Sequence, residues 1–402
     1  MCFGAIRKME QACIIYLSPY DILRPRTNQL SDVRFTEGFA QNNCNTHLVV
    51  PFVFRKDNIL KSEVESTYGL SSKIQIHYLP TNFTSDVNGK LQLAQVTMLA
   101  VRQTLDLLKN RSGKGTIYII SRSTHLLRPL FTLRKIFRSL FSNVHLIHWA
   151  HDFHSGAIYQ SIYKKSDYIL ATNSSILESI HASAKREKSN GTFTLNPITE
   201  AQATESYSKE QAREQVHLSN IQNPLVVYTG KLGQHYDKEM KFILDAAQLL
   251  PQVTFLFTGG KPDVVQYWEK FCKDKKLQNV IFTGYLPDYR KIKYYQYAAD
   301  ILISYYTHQG HDVRYNLPNK ICEYMLTGNP IVTPDYPATR DLLNDANCIF
   351  TEPENAEALA KSIQEIVNDP QAAKIKALQA LKDVKEITFK KVSARLLKQF
   401  PT

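Results

Sequence analysis

Apolar residues in this chain come in short uncharged runs, separated by longer stretches with helical spacing. Ala12-Cys13-Ile14-Ile15-Tyr16-Leu17 reads as a buried strand, ended by Ser18-Pro19-Tyr20. Residues 29–42 suit a helix, 46–50 a second strand and 92–109 a long helix. Runs at 116–120, 144–149 and 167–171 read as further strands, and a helix begins near Ser174. Strands alternating with helices on this scale predict a parallel sheet covered on both faces.

A polar stretch, 199–222, is poor in large apolar residues and reads as a linker with a short helix. The alternation then resumes. Strands are predicted at 225–229, 253–258, 280–282, 300–304 and 331–333, with helices at 237–250, 262–275 and 287–298. Helices continue to about 384. A last one, 388–399, has Val392, Leu396, Leu397 and Phe400 to bury. Two such series in 402 residues predict two α/β domains, 1–198 and 199–384.

The most informative stretch lies in the second series: Pro318-Asn319-Lys320-Ile321-Cys322-Glu323-Tyr324-Met325-Leu326-Thr327-Gly328-Asn329-Pro330-Ile331-Val332. Proline suits the start of a helix, and Gly328 followed by Pro330 stops it. The pattern is strand, loop, short helix, strand, with Glu323 near the helix start. A helix N-terminus offers unpaired N–H groups and a positive dipole end, a seat for phosphate. Tyr228-Thr229-Gly230-Lys231-Leu232 closes the first strand of this series, with Lys238 a few residues on. Gly230 allows close backbone approach, and Lys231 and Lys238 can neutralise a diphosphate at the carboxyl end of a parallel sheet. Taken alone, these are equally a turn glycine and two solvated lysines. Thr258-Gly259-Gly260 and Thr283-Gly284-Tyr285-Leu286 end two further strands and are, alone, ordinary turn chemistry.

In the first series, Trp149-Ala150-His151-Asp152-Phe153-His154 follows a strand. His148, His151 and His154 straddle that strand and its loop instead of sharing one helix face, which disfavours a zinc site. Arg24 and Arg26 follow the first strand, where they can meet an acceptor or simply be surface charge. The six cysteines form no CxxC pair and read as buried reduced thiols, which fits a cytoplasmic protein.

The formal charge of +12 is uneven: residues 1–208 hold 24 Lys+Arg against 15 Asp+Glu, and residues 209–402 hold 25 against 22. Much of the excess falls at 128–141. There Leu130, Leu133, Phe137 and Leu140 have helical spacing, with Arg134, Lys135 and Arg138 between them. A core-packed helix with a solvated basic face is expected; a helix lying on a membrane, at its inner face, is the alternative. Nucleic acid is disfavoured because no DNA- or RNA-binding motif accompanies the charge. No run of about 18 apolar residues is present to span a bilayer.

The string PNKICEYMLTGNPIV resembles the donor-site helix of retaining nucleotide-sugar glycosyltransferases of the group 1 type, glycosyltransferase family 4. The resemblance implies a GT-B fold, with two Rossmann-like domains facing a cleft, and a C-terminal helix, 385–402, that packs back on the first domain. It implies that Glu323 holds the donor ribose and that Lys231 and Lys238 bind its phosphates. Asn319, Lys320, Gly230 and Gly259 would lie near the donor, and Tyr285 and Leu286 near its base. Asp312 and Arg314, on the loop before the motif, would meet the sugar diphosphate. His151 would face the reacting sugar, with Asp152, Arg24 and Arg26 on the acceptor side. The family's second glutamate, eight residues before Glu323, is here Tyr315. The implied activity moves a sugar from a UDP- or GDP-linked donor to a glycan or lipid-linked acceptor, with retention and without a metal or other cofactor. A catalytically silent subunit supporting a partner transferase, or another GT-B enzyme such as a sugar-nucleotide epimerase, is the competing reading.

Overall fold

The structure is a computed structural model that describes residues 12–22, 27–52, 68–70, 74–81, 89–111, 115–233, 238–308 and 312–402. The chain divides into two compact units, 1–199 with 388–402, and 200–387.

The first unit is built on seven strands: β1 (Cys13–Leu17), β2 (Asn45–Phe52), β3 (Gln75–Pro80), β4 (Ile117–Ser121), β5 (Val144–Ala150), β6 (Tyr168–Ala171) and β7 (Gly191–Phe193). They are all parallel, in the order β3-β2-β1-β4-β5-β6-β7. Helices α1 (Thr27–Ala40), α2 (Lys90–Lys109), α3 (Thr124–Ile136), α4 (Ala157–Lys165) and α5 (Ser174–Ala184) connect them. The uncharged runs are strands because they are covered on both sides: Ile14, Leu48, Ile119 and Leu146 have no exposed surface. Strand β3, with half-buried residues at the sheet edge, and β7, three residues long, have too little apolar character to read from sequence.

The second unit carries β8 (Leu225–Thr229), β9 (Thr254–Thr258), β10 (Val280–Gly284), β11 (Ile301–Ile303), β12 (Ile331–Pro334) and β13 (Ile349–Thr351), parallel in the order β10-β9-β8-β11-β12-β13. Its helices are α6 (Glu200–Thr204), α7 (Lys209–Gln215), α8 (Lys238–Leu249), α9 (Pro262–Asp274), α10 (Tyr289–Ala298), α11 (Lys320–Thr327), α12 (Pro337–Arg340), α13 (Ala356–Asn368) and α14 (Pro370–Val384). In each sheet the order reverses beside the first strand, between β1 and β4 and between β8 and β11. Ligands of open α/β sheets bind outside the carboxyl ends at such switch points.

The last helix, α15 (Phe389–Gln399), returns to the first unit and packs on α1. Phe389 meets Phe35 with ring centroids 5.2 Å apart, and Phe400 lies 5.0 Å from Tyr118 and 5.7 Å from Tyr168. Gly38 permits the approach: a Cβ there would fall 2.6 Å from the Phe389 carbonyl oxygen.

One expectation fails. The helix expected over 128–141 begins earlier and stops at Ile136, and 137–143 is largely turn. Leu130 is buried as expected, but Phe137 is 48% exposed instead of packed in the core. The helical spacing ran past the true end, where the Phe137 N–H still bonds the Leu133 carbonyl but the backbone has left helical angles.

Candidate active site

At the switch point of the second sheet, three sequence-predicted features meet. Gly230 follows β8 with φ +153°, and Gly259 follows β9 with φ +125°. Their backbones are nearly in contact: a Cβ on Gly259 would fall 2.0 Å from the Gly230 carbonyl oxygen. Gly259 therefore demands glycine for space as well as for dihedral angle, and Gly230 for its dihedral angle. Lys320, the first residue of α11, reaches to this turn. Its Nζ sits 3.7 Å from the Tyr228 ring centroid and 3.2 Å from where a Gly230 Cβ would lie. A cation is thus held over an aromatic face beside a bare stretch of backbone. Lys231 is exposed just beyond Gly230, and Lys238 opens α8, its side chain outside the described set.

Glu323 stands one turn into α11, half-buried. The Gln296 amide, itself buried on α10, donates 3.0 Å to Glu323 Oε2 and 3.2 Å to Thr229 Oγ1. The Thr229 N–H donates 2.9 Å to the Tyr324 hydroxyl. Thr229, at the end of β8, is thereby tied to α11, and one Glu323 oxygen is fixed in place. Asn329 of the same motif donates to the Gln296 and Tyr297 carbonyls, closing the end of α10. The motif's Gly328 takes φ +64° as the helix stop. Neither Gln296 nor Thr229 carried a sequence signal, since amide and hydroxyl side chains are uninformative until the fold sets their partners.

Asp312 and Arg314 form a bidentate pair with each other, 3.0 and 2.8 Å, on an exposed turn, and Arg314 lies over the Tyr315 ring. The Arg314 hydrogen bond holds the Asp312 carboxyl below the usual range. Tyr285, 71% exposed, and Leu286 follow Gly284, whose carbonyl accepts from Gly259 N–H at 3.0 Å. Asn319 is the exposed residue before α11.

In the first unit, His151 lies just past β5, its ring centroid 4.5 Å from that of Trp149 and tilted 54° to it. Its Nε2 is buried without a hydrogen-bond partner. Burial first, then the nearby Arg122 cation and His148, push its pKa well below the ordinary value, so the ring is neutral. Arg122 follows β4 and pairs with fully buried Asp32 of α1 at 2.5 Å; the Tyr16 and Ser18 hydroxyls donate to the same carboxylate at 2.7 and 2.6 Å. Arg122 also lies 5.1 Å over Trp149. Sequence reasoning missed this network: Asp32 sits within a helical pattern, where an acid reads as a solvated face. Asp152 and His154 are exposed, and His148 is buried against the Ser121 carbonyl, so the three histidines occupy different surroundings. Arg24 and Arg26 lie outside the described residues. The five described cysteines are free thiols.

With this geometry in hand, residues 223–369 match the family profile "Glycosyl transferases group 1", and the second unit carries a group 1 glycosyltransferase domain. No curated protein matches the sequence. Among solved structures, the chain is similar to Anabaena HepE in complex with UDP, at 16% identity and TM-score 0.67, covering 96% of this chain and 100% of that one. A glycosyltransferase from Rickettsia africae aligns at 12% identity and TM-score 0.68, covering 96% of each chain. Sucrose-phosphate synthase from Thermosynechococcus elongatus aligns at 16% and 0.65, covering 96% and 98%. These likenesses give the fold: GT-B, two Rossmann-like domains.

Proposed function

We propose that this chain transfers a sugar from a nucleotide diphosphate sugar to a glycan or lipid-linked acceptor, with retention at the anomeric carbon. The observation that carries the reading is the convergence of Lys320, Gly230 and Gly259 beside Glu323 at the carboxyl edge of the second sheet. The turn's bare backbone lets a pyrophosphate approach, and Lys231, Lys320 and the α11 N-terminus stabilise charge as the diphosphate departs. Lys238 adds a further cation from the start of α8. Glu323, steadied by Gln296, accepts from the ribose hydroxyls. Tyr285 and Leu286 flank the base, and Asn319 and Arg314 complete the donor contacts. That HepE was crystallised with UDP and with UDP-glucose supports a uridine donor.

Neither assigned carboxylate of the second unit is spare for a covalent glycosyl–enzyme step, since Glu323 accepts from Gln296 and Asp312 pairs with Arg314; Asp152, in the first unit, is assigned to the acceptor. In the proposed step the leaving phosphate oxygen takes the acceptor's proton as the acceptor oxygen bonds the anomeric carbon on the same face. His151, neutral and with its Nε2 unpaired, donates or accepts a hydrogen bond to a sugar hydroxyl, and Asp152, Arg24 and Arg26 are assigned to the acceptor. Lysines neutralise the phosphates, so the reading assigns no metal.

Charge reversal at exposed Lys231 (Lys231→Glu) is expected to abolish calorimetric binding of UDP- and GDP-sugars with the circular dichroism spectrum unchanged. Normal turnover in that variant would refute the assignment. A silent subunit is the second reading, favoured by Tyr315 in the second-glutamate position. It predicts no heat with any nucleotide sugar even in the unsubstituted chain.

A further inference from the structure

Residues 89–165 hold twelve Lys+Arg and only two Asp+Glu, a net of +10 in a chain whose total is +12. In the fold this segment supplies α2, α3 and α4, which pack side by side on one face of the first sheet. Their inward residues, such as Val96, Leu127 and Ile162, fill one continuous core with the strands. Their outward residues are therefore free of packing duty. On that outer side Arg102, Arg128, Lys135 and Lys164 are exposed, and Asp106 is the exposed acid within the three helices.

Apolar side chains stand among these cations. Met98 on α2 is 65% exposed, Ile136 at the end of α3 is 64% exposed and the adjoining Phe137 is 48% exposed. Single exposed apolar residues need no explanation, but a basic layer studded with large ones is a different surface. Charge alone would suit any polyanion. Apolar groups between the charges lose nothing by entering a hydrocarbon boundary, and gain little from a solvated phosphodiester backbone. No helix among the described residues is long and apolar enough to cross a membrane, so contact of this kind is lateral.

We infer that the outer face of α2, α3 and α4 docks on a bilayer of anionic lipid, with Ile136 and Phe137 entering the interface and Lys135 and Arg138 held by the headgroups. This goes beyond the transfer chemistry and rests on none of the donor-site residues. A lipid-linked acceptor would be met at that surface.

The test is co-sedimentation of the full chain with phosphatidylcholine vesicles and with vesicles that also contain phosphatidylglycerol, at low and high salt. Binding is expected with the anionic vesicles and expected to weaken with salt. Lys135→Glu with Arg138→Glu should lower partitioning at least about tenfold, taking roughly one decade as the combined effect of a few charges near the surface. Ile136→Ser with Phe137→Ser should lower it at low and high salt alike. Lys270→Glu with Lys273→Glu, the same charge change on exposed α9 of the second unit, should leave it unchanged. All these side chains are exposed, so the variants keep the fold. Equal loss in the α9 variant, no loss in the α3 variants, or equal binding to neutral vesicles would overturn the inference. So would an α3 charge variant that loses binding to a DNA duplex but keeps binding to vesicles. Calorimetry with UDP on the same variants separates this outcome from failure of the donor site, which they do not touch.

Discussion

His148 shows how one buried side chain makes stability depend on pH. It is enclosed in β5 with its Nδ1 3.3 Å from the Ser121 carbonyl oxygen and its ring 5.8 Å from that of Tyr163. Burial pushes its pKa down to about 4; the Ser121 carbonyl opposes the shift, and His154 adds slightly to it. A free histidine titrates near ~6.5. On acidification the unfolded chain takes up a proton near that value while the folded chain resists until about 4. The stabilisation is complete above the unfolded value and falls by about 1.4 kcal/mol per pH unit through that window. Urea midpoints at pH 7.5, 6 and 5 should therefore decline steadily. In His148→Phe the slope should shrink without vanishing, because burial also lowers His47 to about 4 and lowers His151. An unchanged slope would show that His148 is protonated in the folded state. Residue by residue, the helix at 320–327 and its two ends were legible because Pro318, Gly328 and Pro330 act locally. The partners of Glu323 and His151 were not, because Gln296 and Arg122 lie far off in sequence and only the sheet order brings them near.

At the scale of elements, the strongest test concerns α15. Its amphipathic spacing was plain in the sequence, but the surface it covers was not. Phe400 closes a cluster with Phe39, Tyr118 and Tyr168, all on the first unit. The Pro401 carbonyl just after it accepts from the Tyr118 hydroxyl at 3.0 Å. Phe400→Ala removes a nearly fully buried ring near the chain terminus, and is expected to cost about 3–5 kcal/mol, less if the terminus settles into the gap. Thermal unfolding with a probe in the first unit would check it; a loss below about 1 kcal/mol would mean the terminus is a loose strap. Elsewhere, central strands declared themselves by uncharged runs, while β7 and β13 hid because they are three residues long and partly exposed, and β3 because its residues are mixed in polarity and mostly half-buried. The overrun of α3 has the same origin: periodicity marks an apolar face but not the residue at which the backbone turns.

The two units make opposite demands on the chain as a whole. Residues 200–387 are contiguous and enclose their own core, from Val226 and Phe255 on the strands to Trp268 and Ile363 on the helices. Residues 1–199 are contiguous too, yet without α15 they leave Phe35, Phe39 and Tyr118 uncovered. A fragment of 200–387 should therefore fold alone and unfold cooperatively, whereas 1–199 should aggregate or stay partly folded unless 388–402 is supplied, for instance fused through a flexible linker. Because the proposed donor groups all lie in 200–387, UDP should stabilise that fragment as it does the full chain. At a hundred times Kd the gain is about 2.7 kcal/mol in each. Calorimetric scans of both, with and without UDP, decide the matter. If the isolated second unit melts without response while the full chain responds, the nucleotide is gripped by residues of the first unit as well, and the assignment of the donor site to one domain fails.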